Sequence, residues 1–537
     1  MTGPHLVARG GAPGTERQDG PPGRGPAPAR ARLGQLPGLL RRHWLVTVLL
    51  AAGLVLRVLA TVAYQPALIY VDTLKYLYGA SPGSDPLGYM FILRAILAVG
   101  NLTLVVVVQH LVGLAMGAAL YAVLLRRGLN RWLAALAVAP VLLDAYQVQI
   151  EQMIMPDLWF EALVVAGLAV LLWRPAPPLR LTAAAGVLLG GSATVHQLGE
   201  VLVVPAVLYL LATATTWRQA LRTAGVLVVA FLLPIVSYST VNYVKHGQFQ
   251  LARGQQSTGR VVAAADCATL KLPTSVRPFC PTPHQQSFGP DWIEHSKYSP
   301  LHTAPVPPGK TRAQLTQQLT SAIKSQQPLR IAGAIGLDSL RLFAVSRTSD
   351  PFTTPLWRWQ FQTHYPVFPH WVTLSPSHTI IVGVQVKLFG KLFLKPLKPA
   401  YGGPAQVNVP IASFLRSYQL DGGYTPGPLY AVLALLGLAG SVVALARRSS
   451  ADPRSRAAGL ACLLFTLTAA VILLAPDVYE FSWRYQLPAV ITLPPAGLLG
   501  LTVLLGLRRR AAAQPADPAG PAGPARPSNE EEAPAAG

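Results

Sequence analysis

Ten apolar stretches punctuate the chain, at about residues 43–64, 102–125, 132–147, 157–173, 181–196, 200–215, 223–243, 427–446, 457–475 and 486–507. Most are of the length that carries an α-helix across a hydrocarbon core, and those at 132–147 and 200–215 are short for it. Between the seventh and eighth lies a hydrophilic stretch, 244–426. It is far longer than an ordinary connection and is expected to carry its own secondary structure. The pattern predicts a polytopic all-α membrane protein of about ten transmembrane helices, with juxtamembrane helices and a mixed extracytoplasmic insertion domain. The expected divisions are a disordered tail (1–42), a seven-span bundle (43–243), the insertion (244–426), three further spans (427–507) and a second tail (508–537).

Composition agrees, since 51% hydrophobic residues, 12% charged residues and a mean hydropathy of +0.39 exclude a water-soluble enzyme. Both tails are rich in Gly, Pro, Ala and Arg and cannot bury a core. A cleaved signal peptide is not expected, because the first apolar run exceeds a signal core and no small-residue cleavage site follows it.

Charge sets the expected orientation. With the first tail inside, the inner short loops hold Arg126, Arg127, Arg131, Arg174, Arg180, Arg218, Arg222, Arg447 and Arg448, whereas the outer ones hold Lys75, Arg94 and Arg484. This alternation is the positive-inside pattern and places both termini in the cytoplasm. The acids sort the other way: Asp72, Asp85, Glu151, Asp157, Glu200, Asp477 and Glu480 fall at outer ends. The connection QVQIEQMIMPDLWFE is short enough to hold Glu151 and Asp157 near each other at the membrane surface. Arg57, inside the first span, is expected to pair or snorkel.

The insertion carries 18 Lys+Arg against 6 Asp+Glu, which suits lipid head groups or acidic polymers. Within it, residues 331–343 read as an amphipathic helix and 382–399 as a basic apolar segment that lies on the membrane. Cys267 and Cys280, on the oxidising side, form either a disulfide or two free thiols, the disulfide being the expectation. P-loop, GxGxxG, GxSxG, CxxC and HExxH motifs are all missing, so nucleotide chemistry is unsupported and no nucleic-acid partner is expected. High Ala, Pro, Arg and Gly content points to a bacterial, GC-rich genome.

Several of these segments resemble the integral-membrane C-type glycosyltransferases, the superfamily of protein O-mannosyltransferases, aminoarabinose transferases and actinobacterial arabinofuranosyltransferases. The likeness is carried by Asp72 in IYVDTLKYL after the first span, by DPLGYMFILRAI as a juxtamembrane helix, and by Asp157 in MIMPDLWFEALVV opening the fourth span. It continues in GVLLGGSATVHQLGEVLVVPAVL, NYVKHGQFQL, SYQLDGGYTPGPLYAVLALL and, most specifically, Arg484 and Tyr485 in WRYQLPAVITLPP. The family's usual Arg-Pro is replaced by His196-Gln197, so its phosphate contact would pass to His196 or another cation.

The resemblance implies a plasma-membrane enzyme that uses a polyprenyl-phosphate sugar and inverts the anomeric centre, with its active site on the outer face. The acceptor would be an extracytoplasmic hydroxyl on a cell-envelope glycan, a glycolipid or a protein. Such a transfer needs a base at the attacking oxygen and charge compensation at the leaving phosphate. The expected catalytic acids are Asp72, Asp157 and Glu151, with Asp72 as base. Arg484, Arg94, Lys75 and His196 are candidates for the phosphate, and Tyr485 and Tyr76 for lining the substrate. A divalent cation (Mg²⁺, Mn²⁺ or Ca²⁺) could be held by Asp72, Asp157 and Glu151. Asp85 is assigned to the turn before the juxtamembrane helix. Two other classes share the composition: a transporter or flippase of lipid-linked envelope precursors, for which broken helices and matching halves are expected, and a non-catalytic envelope-assembly protein, for which Asp72 would be dispensable.

Overall fold

The computed structural model describes residues 36–70, 72–78, 85–252, 257–366, 373–374, 380–381, 383–388, 391–396, 405–446 and 453–513. Of the expected tails, 1–42 and 508–537, residues 1–35 and 514–537 lie outside the described residues, and 508–513 continue the helix Ala489–Ala513 instead of a structureless tail. The chain divides into two compact units, 1–47 and 48–537. Of the first, the described part is a short helix, Leu36–Arg42, where a structureless tail was expected, and the opening turn of α1.

The membrane elements are α1 (Trp44–Ala63), α2 (Gly88–Leu97), α3 (Leu102–Arg126), α4 (Arg131–Leu143), α5 (Ala145–Gln152), α6 (Asp157–Leu172), α7 (Leu179–Val195), α8 (Val203–Thr213) and α9 (Trp217–His246). In the insertion are α10 (Arg312–Gln326) and α11 (Pro328–Leu340), followed by α12 (Val409–Leu420), α13 (Gly427–Ala446), α14 (Pro453–Leu474) and α15 (Ala489–Ala513). Every expected span coincides with a helix. Among the described residues six are long and apolar enough to cross a membrane, or seven if α4 and α5 form one bent span. The chain is therefore a multi-pass membrane protein, with fewer full-length spans than the ten expected. The shortfall lies in α4, α6, α7 and α8, none longer than 17 residues.

Local chemistry explains the breaks. Asn101 and Asn130 cap α3 and α4 by accepting the N–H groups of Leu104 and Leu133. Gly247, at φ +70°, ends α9 in the left-handed conformation that glycine adopts freely. Between α4 and α5 the axis turns by 47°. Asp144 sits extended at that corner and caps α5 by accepting from Tyr146 N (3.0 Å), and it also holds the entry to α13 by accepting from Thr425 N (2.7 Å).

The insertion is not a detached domain. Its first half is a helical globule with its own core around Val262, Phe279, Ile293, Leu315 and Leu319, closed by the expected disulfide Cys267–Cys280. Its second half shares a core with the bundle, where Leu356, Trp359, Phe361 and Leu415 pack with Leu56, Tyr64, Tyr146 and Phe481. Tyr64–Gln65, at the end of α1, pairs antiparallel with Gln406–Val407. Within the basic segment 382–399, residues 383–388 pair antiparallel with 391–396. Its side chains, and so its expected membrane contact, lie outside the described residues.

Candidate active site

Two backbone junctions place the acids. Leu68 N donates to Gln152 O (3.0 Å) and Ile154 N to Leu68 O (3.2 Å), which binds the exit of α1 to the connection between α5 and α6. Thr73 fixes the turn at Asp72: its hydroxyl accepts from Tyr70 N and donates to Ile154 O, both at 3.0 Å. Asp72 and Asp157, first residue of α6, thereby come to the same end of the bundle.

Arg484 joins them. Its Nε donates to Asp157 Oδ1 (2.7 Å), Nη2 to Asp157 Oδ2 (2.9 Å) and Nη1 to Asp72 Oδ2 (3.0 Å). The two-pronged match of guanidinium to carboxylate fixes geometry as well as charge. Burial works against the charged form of Arg484, but Asp157, with Tyr485 and Asp72, outweighs it and holds the guanidinium well above its usual value. The two acids are not equivalent. The Asp157 side chain is 9% exposed and both its oxygens are committed to Arg484, whereas that of Asp72 is 28% exposed. Lys75, one turn further on, donates to Asp72 Oδ1 (3.3 Å) and to Asp85.

Asp85 sits in the bend before α2, as expected, and also belongs to this chain of charges. Burial alone would raise its pKa, but the charge and hydrogen bond of Lys75 pull it below the usual carboxylate value. Beyond it opens a cavity of about 260 Å³ lined by Asp85, His196, Glu200, Pro476, Tyr479 and Tyr485. His196 caps the turn after α7, its Nδ1 accepting from Leu198 N (3.3 Å), with its ring between Phe160 (5.2 Å) and Tyr485 (6.1 Å). A larger groove of about 840 Å³ between α4, α12, α13 and α15 is lined mainly by apolar residues and offers no such charge pairing.

The insertion supplies a wall that sequence reasoning missed. Trp359 lies over the Arg484 guanidinium at 5.5 Å and against Tyr70 at 4.8 Å. Thr354 N donates to Phe481 O (3.2 Å), the Thr354 and Ser482 hydroxyls meet at 2.7 Å, and Trp483 Nε1 donates to Thr348 O (3.0 Å). The segment 481–483, just before Arg484, is thus held in a strand-like contact with 348–354. The aromatic and basic run PLWRWQFQ was the available signal.

The other expected residues are placed elsewhere. Glu151 is 0% exposed and lies in the bundle, because α5 turns inward at Asp144. Arg57 meets it with Nε to Oε2 and Nη2 to Oε1, both at 2.7 Å, and His110 Nδ1 lies 3.0 Å from Oε2. Gly113 makes room for it, since a Cβ there would stand 2.2 Å from Glu151 Oε1. Tyr76 is 1% exposed and packs edge-on against Tyr89, so it is core rather than substrate lining. Arg94 is exposed on α2 and makes no contact with the cluster.

Among the described residues no group of three or more His, Cys, Asp or Glu side chains could hold a metal ion. The expected set of Asp72, Asp157 and Glu151 does not fit one, because Arg484 stands between the first two and Arg57 engages the third.

No family model matches the chain, and no curated protein matches it. Solved structures do. The Pmt1–Pmt2 protein O-mannosyltransferase complex of S. cerevisiae, bound to the sugar donor, is similar at 16% identity and TM-score 0.32, over 43% of this chain and 38% of that one. The oligosaccharyltransferase AglB of Archaeoglobus fulgidus, with an inhibitory peptide and a dolichol-phosphate, is similar at 9% identity and TM-score 0.37, over 89% and 53%. ArnT of Cupriavidus metallidurans in the apo state is similar at 15% identity and TM-score 0.32, over 85% and 77%. The chain thus spans well under two thirds of the first two. Likeness this distant does not decide the chemistry, which rests on the site.

Proposed function

We propose that the protein transfers a sugar from a polyprenyl-phosphate donor to a hydroxyl acceptor at the insertion end of the bundle, the outer face of the plasma membrane. The observation that carries this reading is the division of labour between two carboxylates on one arginine: Asp157 orients Arg484, and Asp72 keeps an accessible edge. In the step, the acceptor hydroxyl gives its proton to Asp72 as its oxygen bonds to the anomeric carbon. The bond from that carbon to the phosphate oxygen breaks, and the polyprenyl phosphate leaves with the electron pair. Direct displacement of this kind inverts the anomeric configuration.

The leaving phosphate gains charge as that bond breaks, and preorganised cations lower the barrier where charge develops. Arg484 and Lys75 supply them, with His196 and Tyr485 beside the adjoining cavity. Arg484 occupies the place between the carboxylates that a divalent cation would take, so the step is written without a metal. Sugar and acceptor identity are left to the assay. Purified protein in phospholipid vesicles is given radiolabelled polyprenyl-phosphate hexoses and pentoses with envelope-glycan, glycolipid and peptide acceptors. Label in an acceptor supports the reading. Donor crossing the bilayer without transfer would favour a flippase, and neither event would favour an assembly role.

A further inference from the structure

Two neighbouring helices of the insertion have opposite polarity. α10 buries Leu315, Leu319 and Ile323 and turns glutamines, threonines and Lys324 outward, as a helix in water does. α11 is inverted. Its inward face holds Asp338, which pairs with Arg260 at 2.6 Å and Arg341 at 2.9 Å, and Ser339, whose hydroxyl donates to Asp477 at 2.7 Å. Its outward face carries Leu329 (85% exposed), Leu337 (70%) and Leu340 (61%), with Ala332, Gly333 and Gly336 between them. Val345, just beyond, is 80% exposed.

The membrane-crossing α13 shows the same inversion: Leu429, Val432, Leu435 and Leu438 face outward, while Tyr430, Gly437, Gly440 and Ser441 face in. The two surfaces adjoin. A Cβ on Gly427, the first residue of α13, would stand 2.1 Å from Ala344 O, so the chain leaving α11 rests on the end of that span. The Ser339–Asp477 bond ties α11 to the turn that follows α14. The apolar face of α11 therefore lies beside the end of α13 from which the outward leucines begin.

We propose that α11 is an interfacial helix, its Leu329, Leu337 and Leu340 face sunk in the bilayer leaflet at the insertion end. Amphipathic helices bind there by burying an apolar face at the level of the head groups. The helix would fix the insertion, and the turn leading to Arg484, at a set depth. This placement does not depend on the transfer reaction, and its test reads position rather than activity.

The full-length protein is reconstituted in phosphatidylcholine–phosphatidylglycerol vesicles with one nitroxide, on Leu329→Cys, Leu337→Cys or, on α10, Gln318→Cys. Cys267 and Cys280 are bridged and Cys462 is buried, so labelling is confined to the new thiol. Collisions with oxygen relative to a nickel chelate should be several-fold higher at 329 and 337 than at 318. Chelate access at 337 equal to that at 318 would put the helix in water and overturn the proposal. Exclusion of both reagents would put a protein against it, which also overturns it.

Discussion

Replacing Arg57 by Met separates a structural from a catalytic role for Glu151. Arg57 is 1% exposed, and its removal strips the Glu151 carboxylate of two 2.7 Å bonds, leaving His110 at 3.0 Å and Gln147 at 3.4 Å. An uncompensated buried charge costs about 3–5 kcal/mol. Glu151→Gln is the milder change, because Arg57 keeps carbonyl acceptors on Gly53 (3.1 Å), Leu142 (2.8 Å) and Val141 (3.1 Å). Its loss corresponds to weakened hydrogen bonds to a charged group, about 1.5–3 kcal/mol. The double variant removes both charges and should be less destabilised than the sum of the singles, by about 1–3 kcal/mol of coupling. The assay is the temperature at which each protein in detergent loses its monodisperse elution peak, alongside sugar transfer well below that temperature. The expected order of stability is wild type, then Glu151→Gln, then Arg57→Met and the double variant close together, with transfer by Glu151→Gln within a few-fold of wild type. Additive losses, or Glu151→Gln with normal stability and no transfer, would refute the structural role.

Other regions give independent tests. Burial, and then the Asp291 carboxylate, raise Glu480 to about 8; its contribution to stability is fully present below its unfolded value near 4.5, is lost as pH rises through about 8, and should vanish from the pH–stability curve in Glu480→Gln. Trp359→Ala removes a ring over Arg484 and a core side chain, so transfer should fall and stability drop by about 3–5 kcal/mol, whereas Trp359→Phe should retain much of both. Serine at Cys267 and Cys280 opens a loop closed across 13 positions, a constraint worth about 3 kcal/mol; limited proteolysis should then cut the globule around 258–326 first, with the bundle intact.

Hydropathy revealed where helices form, because an apolar run must satisfy its backbone internally in lipid. It did not reveal their lengths. The corner at Asp144 depends on contacts with Tyr146 and with Thr425, which is 281 residues away. That corner also misled the reading of Glu151: sequence proximity suggested a shared surface hairpin with Asp157, but α5 turns its acid into the bundle toward Arg57. The convergence of Asp72, Asp157 and Arg484 was legible, since each follows or opens an apolar run on the same predicted side. Trp359 was not, because its role depends on where an insertion with no recognisable pattern folds back. The lysine bridge from Asp72 to Asp85 lay within reach, one helical turn and one turn-forming segment apart.

In the proposed transfer Asp72 accepts the proton while Asp157 holds Arg484. This assignment is tested most directly by single-turnover transfer with Asp72→Asn in vesicles, measured with donor binding to the same sample. Donor affinity should stay within a few-fold of wild type and the transfer rate should fall at least about 10²-fold, the usual range for losing a general base. Transfer at the wild-type rate by Asp72→Asn would contradict it.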